Sequence, residues 1–510
     1  MKNIRGNKIL SEKGLKELRK YFFKKKIVLC HGVFDILHIG HINYFKEAKK
    51  LGDVLVVSVT DDEYVNKGPG RPAFPIQSRL KFLSEIQTID FVYVSKSPTA
   101  RNIILNLKPR YYCKGNDYPI KNTILDDNLK SEIDAVKKIK GKYKQINQAM
   151  FSSSKIINDY NLQNLNNDAK KYITEIRKKN SLSSILNEIG KILNKKVLVL
   201  GETIIDKYIS TETIGKSGKE PILVIKPIKE TNFLGGAAYV ANLCSSFCKT
   251  TKLISFIGSR NNEKNFISKK INKKVITKFF KKNNSPTINK MRYIDEYRKT
   301  KILGVYDLND DPINLKEERS FYNEIKKNIK KFDIVIVLDY GHGIFTKKIR
   351  KLLKENGKKI YLNTQINSFN RGYHTLFNYN KINSLIINES ELKYELKDKN
   401  SNIQHLVKAL RKKVKVDNII ITRGKNGSVI VNKNNKNIIQ CPAFNLNNKD
   451  TVGAGDTFFA MSAIALSVNI DPKISLLLSS IAADFSIDQI GKESIFDLNK
   501  LKKYLSHVLR

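Results

Sequence analysis

The sequence predicts an α/β protein of two domains. Three observations carry that reading: a length of 510 residues, a strand, glycine turn, helix and strand in succession from Ile27, and a second strand, Val197 to Leu200, that ends in Gly201. A chain of this length exceeds one ordinary core, because domains run to roughly 100–200 residues. The composition, 41% hydrophobic and 28% charged, is that of a globular protein. No apolar run approaches the ~20 residues that span a membrane, so no membrane partner is expected. Met1 to Leu10 lacks the apolar core of a secretory signal, which makes the cytoplasm the expected location.

Each element follows from its local pattern. The apolar run Ile27 to Cys30 reads as a buried strand, His31 to Asp35 as a turn, Ile42 to Lys50 as a helix and Val54 to Val59 as the next strand. The alternation continues through Arg79 to Ile86, Phe91 to Val94, Ala100 to Leu107 and Tyr111 to Lys114, so residues 26–160 form the first domain. Residues 161–194 are polar and Asn/Lys-rich, with helical spacing at Ile173, Ile176, Leu182, Ile185, Ile189 and Ile192, and read as a helical linker. The strand at Val197 opens the second α/β domain, residues 195–508.

Five scattered cysteines fit reduced thiols better than a disulfide framework, and Cys244 and Cys248 lack the histidine companions of a zinc site. A formal charge of +45 raises nucleic-acid binding. Lysine, however, is spread over nearly every polar helix face alongside abundant Asn and Ile, so no nucleic-acid partner is expected; the positive field would draw in anionic small molecules instead.

Two segments carry chemistry. In His31 to His41, His38 and His41 stand three apart around Gly40 at a helix start, where free N–H groups and the helix dipole favour phosphate and imidazoles can stabilise charge on phosphorus. That suggests nucleotidyl transfer; plain helix capping is the alternative. In the second segment, Gly453, Ala454, Gly455 and Asp456 precede an apolar helix from Thr457 to Val468. Small residues let N–H groups converge on an anion, and Asp456 could take the proton of an attacking hydroxyl. The alternative is a glycine turn capped by Asp. No Walker-type phosphate loop occurs in the chain.

The first segment resembles the cytidylyltransferase-like nucleotidyltransferases, and in particular the adenylyltransferase half of bacterial ADP-heptose synthases. The likeness rests on Gly32-Val33-Phe34-Asp35, Leu37-His38-Ile39-Gly40-His41, Lys67-Gly68-Pro69-Gly70-Arg71-Pro72, Arg79 and Cys113-Lys114-Gly115-Asn116-Asp117-Tyr118. It implies a Rossmann-like fold in which His38 and His41 bind the triphosphate and Lys67 helps neutralise it. Gly32, Phe34, Asp35 and Lys114 would line the nucleotide and sugar-phosphate pocket. Ser152, Ser153 and Ser154, otherwise a plain N-cap, would hold the β and γ phosphates.

The second segment resembles the signature of ribokinase-like (PfkB) carbohydrate kinases, supported in order by Gly201 to Asp206, Gly235-Gly236-Ala237-Ala238, Asp339-Tyr340-Gly341-His342-Gly343, Asn388-Glu389-Ser390-Glu391, and Thr422-Arg423-Gly424 with Gly427. This resemblance implies an α/β sandwich with a small β lid. Asp456 would be the base, Gly453, Ala454 and Gly455 the anion hole, and Asp206, Gly235, Gly236 and Asn242 the sugar contacts. Lys290 and Arg292 would meet a remote phosphate or form a solvated basic edge. Asn388 and Glu391 would act on Mg²⁺ largely through water, and Thr422, Gly424 and Gly427 would bind nucleotide. Tyr239 departs from the Asn that often follows the Gly-Gly loop.

Jointly the resemblances imply sugar activation. The kinase half, using ATP, would phosphorylate a sugar phosphate such as a heptose 7-phosphate at C1; the transferase half, using ATP or CTP, would make an NDP-sugar and pyrophosphate for surface polysaccharide such as lipopolysaccharide. In ADP-heptose synthases the kinase usually comes first, whereas here the order is reversed. The resemblance also admits a homodimer through the kinase domain. Two alternatives stay open: a polyol-phosphate cytidylyltransferase fused to an unrelated sugar kinase, and a non-catalytic basic protein that binds nucleotide or RNA.

Overall fold

The computed structural model describes residues 8–65, 72–115, 127–146, 166–260, 263–366, 370–433, 437–444, 453–487 and 496–509. The chain divides into two units, Met1–Asn164 and Leu165–Arg510.

The first unit is built on six strands: β1 (Ile9–Leu10), β2 (Ile27–Gly32), β3 (Val54–Thr60), β4 (Phe91–Ser95), β5 (Tyr111–Gly115) and β6 (Lys142–Ile146). All pair in parallel, in the order β1-β4-β3-β2-β5-β6. Both faces are covered, which is why the strands read as continuous apolar runs. Ile27 and Leu29 join one core cluster, Val28 and Cys30 the other. From β2 the chain winds outward through β3 and β4, then returns to β2's other side as β5. That reversal makes the carboxyl ends of β2 and β5 the topological switch point, the place where ligands bind in open α/β sheets. The strand β1 and the helix Glu12–Tyr21, capped by Ser11 and burying Leu15 and Leu18, lie before the expected start at residue 26.

The second unit has a main sheet ordered β10-β9-β7-β13-β14-β15-β16-β17-β18. Its strands are β7 (Lys196–Lys216), β9 (Thr250–Gly258), β10 (Val275–Lys282), β13 (Ile334–Asp339), β14 (Ile360–Thr364), β15 (Lys381–Asn388), β16 (Lys415–Thr422), β17 (Ser428–Asn432) and β18 (Ile439–Cys441). β16, β17 and β18 pair antiparallel; the rest are parallel. The long β7 belongs to two sheets. Residues 196–202 pair with β9 and β13, whereas 204–216 pair antiparallel with β8 (Leu223–Gly235) and, in part, parallel with β11 (Ile288–Asp295), on which β12 (Lys301–Asp307) is laid antiparallel. This second sheet is the expected lid. β9 and β13 flank β7 on opposite sides, so the winding reverses there, at the ends that carry Glu202 and Asp339.

The two helices of the expected linker, Asn167–Lys179 and Leu182–Ile192, pack within the second unit. Their stripe of Ile173, Ile176, Ile185, Ile189 and Ile192 is buried, the Tyr172 hydroxyl donates to the Lys473 carbonyl (2.7 Å), and Arg177 donates to that of Val508 (2.7 Å). An apolar stripe of that width needs a partner surface, and here it finds one in its own unit.

Candidate active sites

In the first unit, His38 is the N-cap of the helix Ile39–Lys49. Its Nδ1 accepts from the Gly40 N–H (3.1 Å), and Nδ1 of His41 accepts from the His38 N–H (3.4 Å), a reciprocal capping box made of two imidazoles whose centroids lie 4.0 Å apart. With Nδ1 accepting, each neutral ring carries its proton on Nε2, a donor suited to phosphate oxygen. Capping and phosphate binding are therefore compatible roles. His41 also lies edge-on to Phe34 (5.7 Å), which packs on Phe45 (5.2 Å).

Phe34 holds a left-handed φ of 49°, uncommon for a bulky residue and often a mark of strain near functional sites. Its ring lies over Gly32, where a Cβ would come within 3.1 Å of it. Gly32 and Phe34 thus shape the turn under His41. Asp35 is buried, and its two oxygens accept the N–H groups of Ala73 (2.9 Å) and Phe74 (3.0 Å). Arg79 is wholly buried and donates to the carbonyls of Val33 (2.6 Å), Thr60 (3.0 Å) and Phe74 (3.0 Å) and to Asp62. It ties the turn after β2 to β3 and to the segment held by Asp35. Lys114, at the end of β5, pairs with Glu132 (3.3 Å), and Glu132 also accepts from Ala100 N–H and the Tyr112 hydroxyl. Burial, with help from Lys114, holds the His31 imidazole well below its ordinary pKa. Lys67, Ser152, Ser153 and Ser154 lie outside the described residues.

In the second unit, Gly453 starts the helix Ala454–Leu466 with φ +82° and provides no side-chain cap. Gly455 is exposed, and a Cβ there would meet nothing within 4 Å among the described residues. Asp456 stands in the first turn and accepts a 2.9 Å hydrogen bond from the hydroxyl of Tyr340, the residue that follows β13. Tyr239, the departure after the Gly-Gly loop, bonds through its hydroxyl to that of Thr457 (2.7 Å), and Thr457 donates to Gly453 C=O (2.9 Å). It braces the helix start.

Lid residues join this site. Asp206 pairs with Arg292 (2.7 Å), Arg292 lies over Tyr208 (5.6 Å), and the Lys290 ammonium sits 5.6–5.7 Å from the ring centres of Tyr306 and Tyr340. Burial lowers the Lys290 pKa, opposed by Asp206, Asp456 and Glu202. Arg292 is raised by Asp206, which outweighs its burial. Gly235 and Gly236 are needed sterically: a Cβ at 235 would fall 2.4 Å from the Asp206 carboxylate, and Gly236, at φ +55°, would meet Glu202 C=O at 2.5 Å. The structure thus gathers Asp206, Gly235, Gly236, Lys290, Arg292 and Asp456.

Asn242 does not join them. It is buried, its Nδ2 donates to Lys270 C=O (3.1 Å) and its Oδ1 accepts Asn272 N–H (2.8 Å), so it fixes the end of the helix Lys264–Lys270. Both ends of its amide are thus engaged within the fold.

Asn388 and Glu391 form the capping box of the helix Glu389–Leu396. Asn388 Oδ1 accepts Ser390 N–H (2.9 Å), and Glu391 accepts Asn388 N–H (3.1 Å). Burial pushes Glu391 up to about 7. The carboxylate and amide oxygens of the pair are hard donors of the kind Mg²⁺ takes through water. Thr422 ends β16 beside Asn388 (3.5 Å). Gly424 (φ +54°) and Gly427 (φ +77°) make the turn into β17, where a Cβ at 427 would fall 2.0 Å from Cys441 C=O.

Sequence reasoning missed Glu202. It is buried at the end of β7's first half and accepts the N–H groups of Tyr340 and His342 (3.2 Å each). Burial and the neighbouring Asp339 raise its pKa. An acidic residue directly after Gly201 in an apolar strand was the available signal. His342 is buried, its ring nitrogens have no partner among the described residues, and burial with Lys290 and Lys282 pushes it down to about 3.

The cytidylyltransferase-like family model matches residues 29–185. The chain is similar to the Bifunctional protein HldE of Aliarcobacter butzleri, 28% identical over 328 residues, 62% of this chain and 66% of that one. The HldE of Desulfatibacillum aliphaticivorans is 46% identical over 96 residues, 18% of this chain and 20% of that one. The chain therefore spans just under two thirds of the first relative's length and about a fifth of the second's. The domain order is reversed relative to HldE. Phosphofructokinase-2 from Escherichia coli shares the fold, with a TM-score of 0.50 at 15% identity over 62% of this chain and all of that one. The model for pfkB family carbohydrate kinases matches residues 194–497, more than half of the sequence, and on that match the chain belongs to the pfkB family.

Proposed function

We propose that the chain is a bifunctional sugar-activating transferase. Its second unit phosphorylates a sugar phosphate, a heptose 7-phosphate in the reading we favour, at the anomeric C1 hydroxyl. Its first unit transfers a nucleotidyl group from ATP or CTP to a sugar 1-phosphate, giving an NDP-sugar and pyrophosphate for surface polysaccharide. The observation that carries the reading is Asp456 in the first turn of a helix that starts on Gly453, Ala454 and Gly455, within the charge field of Lys290, which also feels the paired Asp206 and Arg292. The names of the HldE relatives support coupling both activities on one chain.

In the kinase step the C1 hydroxyl gives its proton to Asp456 as its oxygen attacks the γ-phosphorus of ATP, and ADP leaves. The N–H groups of Ala454 and Gly455 receive the charge on the transferred group. Lys290 and Arg292 hold the sugar's remote phosphate, while Asp206 accepts a sugar hydroxyl. Asn388 and Glu391 would hold Mg²⁺ through water, and the ion would supply neutralisation of phosphate charge. In the transferase step the sugar 1-phosphate oxygen attacks the α-phosphorus, with His38 and His41 donating from Nε2 to phosphate oxygens as pyrophosphate departs.

The test is mass spectrometry of the protein incubated with Mg²⁺, ATP, CTP and a panel of sugar phosphates that includes heptose 7-phosphate. A sugar bisphosphate from heptose 7-phosphate together with an NDP-sugar from a sugar 1-phosphate is expected. Bound nucleotides without either product would count against the reading.

A further inference from the structure

Tyr340 is held at three points. Its N–H donates to Glu202 (3.2 Å), its carbonyl accepts from Asn370 Nδ2 (2.7 Å), and its hydroxyl donates to Asp456 Oδ1 (2.9 Å). The loop that carries it is closely packed. Gly341 has φ +75° and Gly343 φ +85°, and a Cβ at 341 would fall 2.5 Å from the Asn370 amide. The Tyr340 side chain is fully buried, with the Lys290 ammonium 5.7 Å from its ring centre.

We propose that Tyr340 is a positioning residue for phosphoryl transfer, its phenol fixing the Asp456 carboxylate toward the sugar hydroxyl and favouring the ionised base. The inference rests on Asp456 being the kinase base. A hydrogen bond donated to a carboxylate stabilises its charged form, and a bond to one oxygen fixes the plane in which the other can take a proton. The phenol remains a donor through the working range, because burial together with Asp456, Glu202 and Asp206 raises its own pKa well above the ordinary value. Around it, Lys290 from β11 favours ionised Asp456, Arg292 from β11 is paired with Asp206 from β7, and Glu202 from β7 accepts the Tyr340 backbone.

The experiment is the pH profile of kcat for sugar phosphorylation in the full chain, with Tyr340→Phe, with 3-fluorotyrosine placed at position 340, and with Asp456→Asn. Tyr340→Phe should raise the acid limb by about one pH unit and lower kcat about tenfold. The more acidic fluorophenol donates more strongly and should move the limb the other way; because it keeps the hydroxyl, its result does not depend on how well the Phe variant folds. KM for ATP should change little in either. If the limb stays put in both variants while Asp456→Asn is inactive, the inference fails and the base assignment survives. An Asp456→Asn protein that phosphorylates at full rate removes the base assignment and the inference with it, as does a wild-type protein that phosphorylates no sugar on the panel.

Discussion

The two candidate sites are supported in different ways. In the first unit most supports are hydrogen bonds between side chains and backbone, beside the Lys114–Glu132 and Arg79–Asp62 pairs: the imidazoles accept from N–H groups of their own helix start, Asp35 holds two N–H groups, and Arg79 holds three carbonyls. In the second unit interacting ionisable groups of low exposure add to such bonds: Asp206 pairs with Arg292, Glu202 lies beside Asp339, and Lys290 interacts with both Asp206 and Asp456. The first should therefore fail when a strut is removed. The second should respond to any change in charge or proton count.

The largest expected effect is at the strut. Arg79→Leu leaves the Val33, Thr60 and Phe74 carbonyls without their donor and should destabilise the first unit by about 3 kcal/mol or more. Calorimetry should show that unit's transition lost or strongly lowered, and nucleotidyl transfer should disappear while sugar phosphorylation persists. Next is Gly235→Ala, whose Cβ would displace the Asp206 carboxylate 2.4 Å away. The sugar KM of the kinase should rise by about tenfold, or roughly 1.4 kcal/mol of binding, with nucleotidyl transfer unaltered; an unchanged KM would remove Asp206 from the sugar site.

A proton-linked effect comes third. Glu391 is raised from its ordinary value to about 7, so its folded form holds a proton more tightly than the unfolded chain does. That stabilisation is complete below the unfolded pKa of about 4.3 and is lost as pH rises through about 7. From pH 5 to pH 8 the wild type should lose melting temperature relative to Glu391→Gln, and saturating Mg²⁺ with nucleotide should shrink the difference. His342, pushed down to about 3, acts in the opposite sense: its contribution is present above about 6.5 and falls away as pH drops toward 3. It is common to both proteins and cancels in the comparison. Tyr239→Phe should have the smallest effect, about 1 kcal/mol from the lost bond to Thr457, read as a drop of a few degrees in the second unit's melting temperature.

Much of the α/β frame was legible, because strands covered on both faces announce themselves as apolar runs. The runs expected from Ile27, Val54, Phe91 and Tyr111 are β2 to β5. What stayed hidden was contact at long sequence separation. The stripe on residues 173–192 was read correctly as helical, but the partners of these helices include Lys473 and Val508, some 300 residues on. Asn242 fitted a motif, yet its amide is taken by Lys270 and Asn272. The helix Glu12–Tyr21 was missed despite local signals: Ser11 as cap, Leu15 and Leu18 on one face, Arg19 and Lys20 in the last turn. In the sites, residue types at helix starts were readable because helix-start chemistry is local. Arg79's grip on three carbonyls, and the line from Glu202 through Tyr340 to Asp456, depend on sheet order and were not.

The central claim is that one chain carries two independent transfer sites, and assaying both half-reactions in His41→Ala and Asp456→Asn tests it most directly. The account predicts that His41→Ala lowers nucleotidyl transfer by roughly 10²–10³ with phosphorylation intact. Asp456→Asn should lower phosphorylation by roughly 10²–10⁴ with nucleotidyl transfer intact. Loss of both activities in either correctly folded variant, or of neither in both, would contradict it.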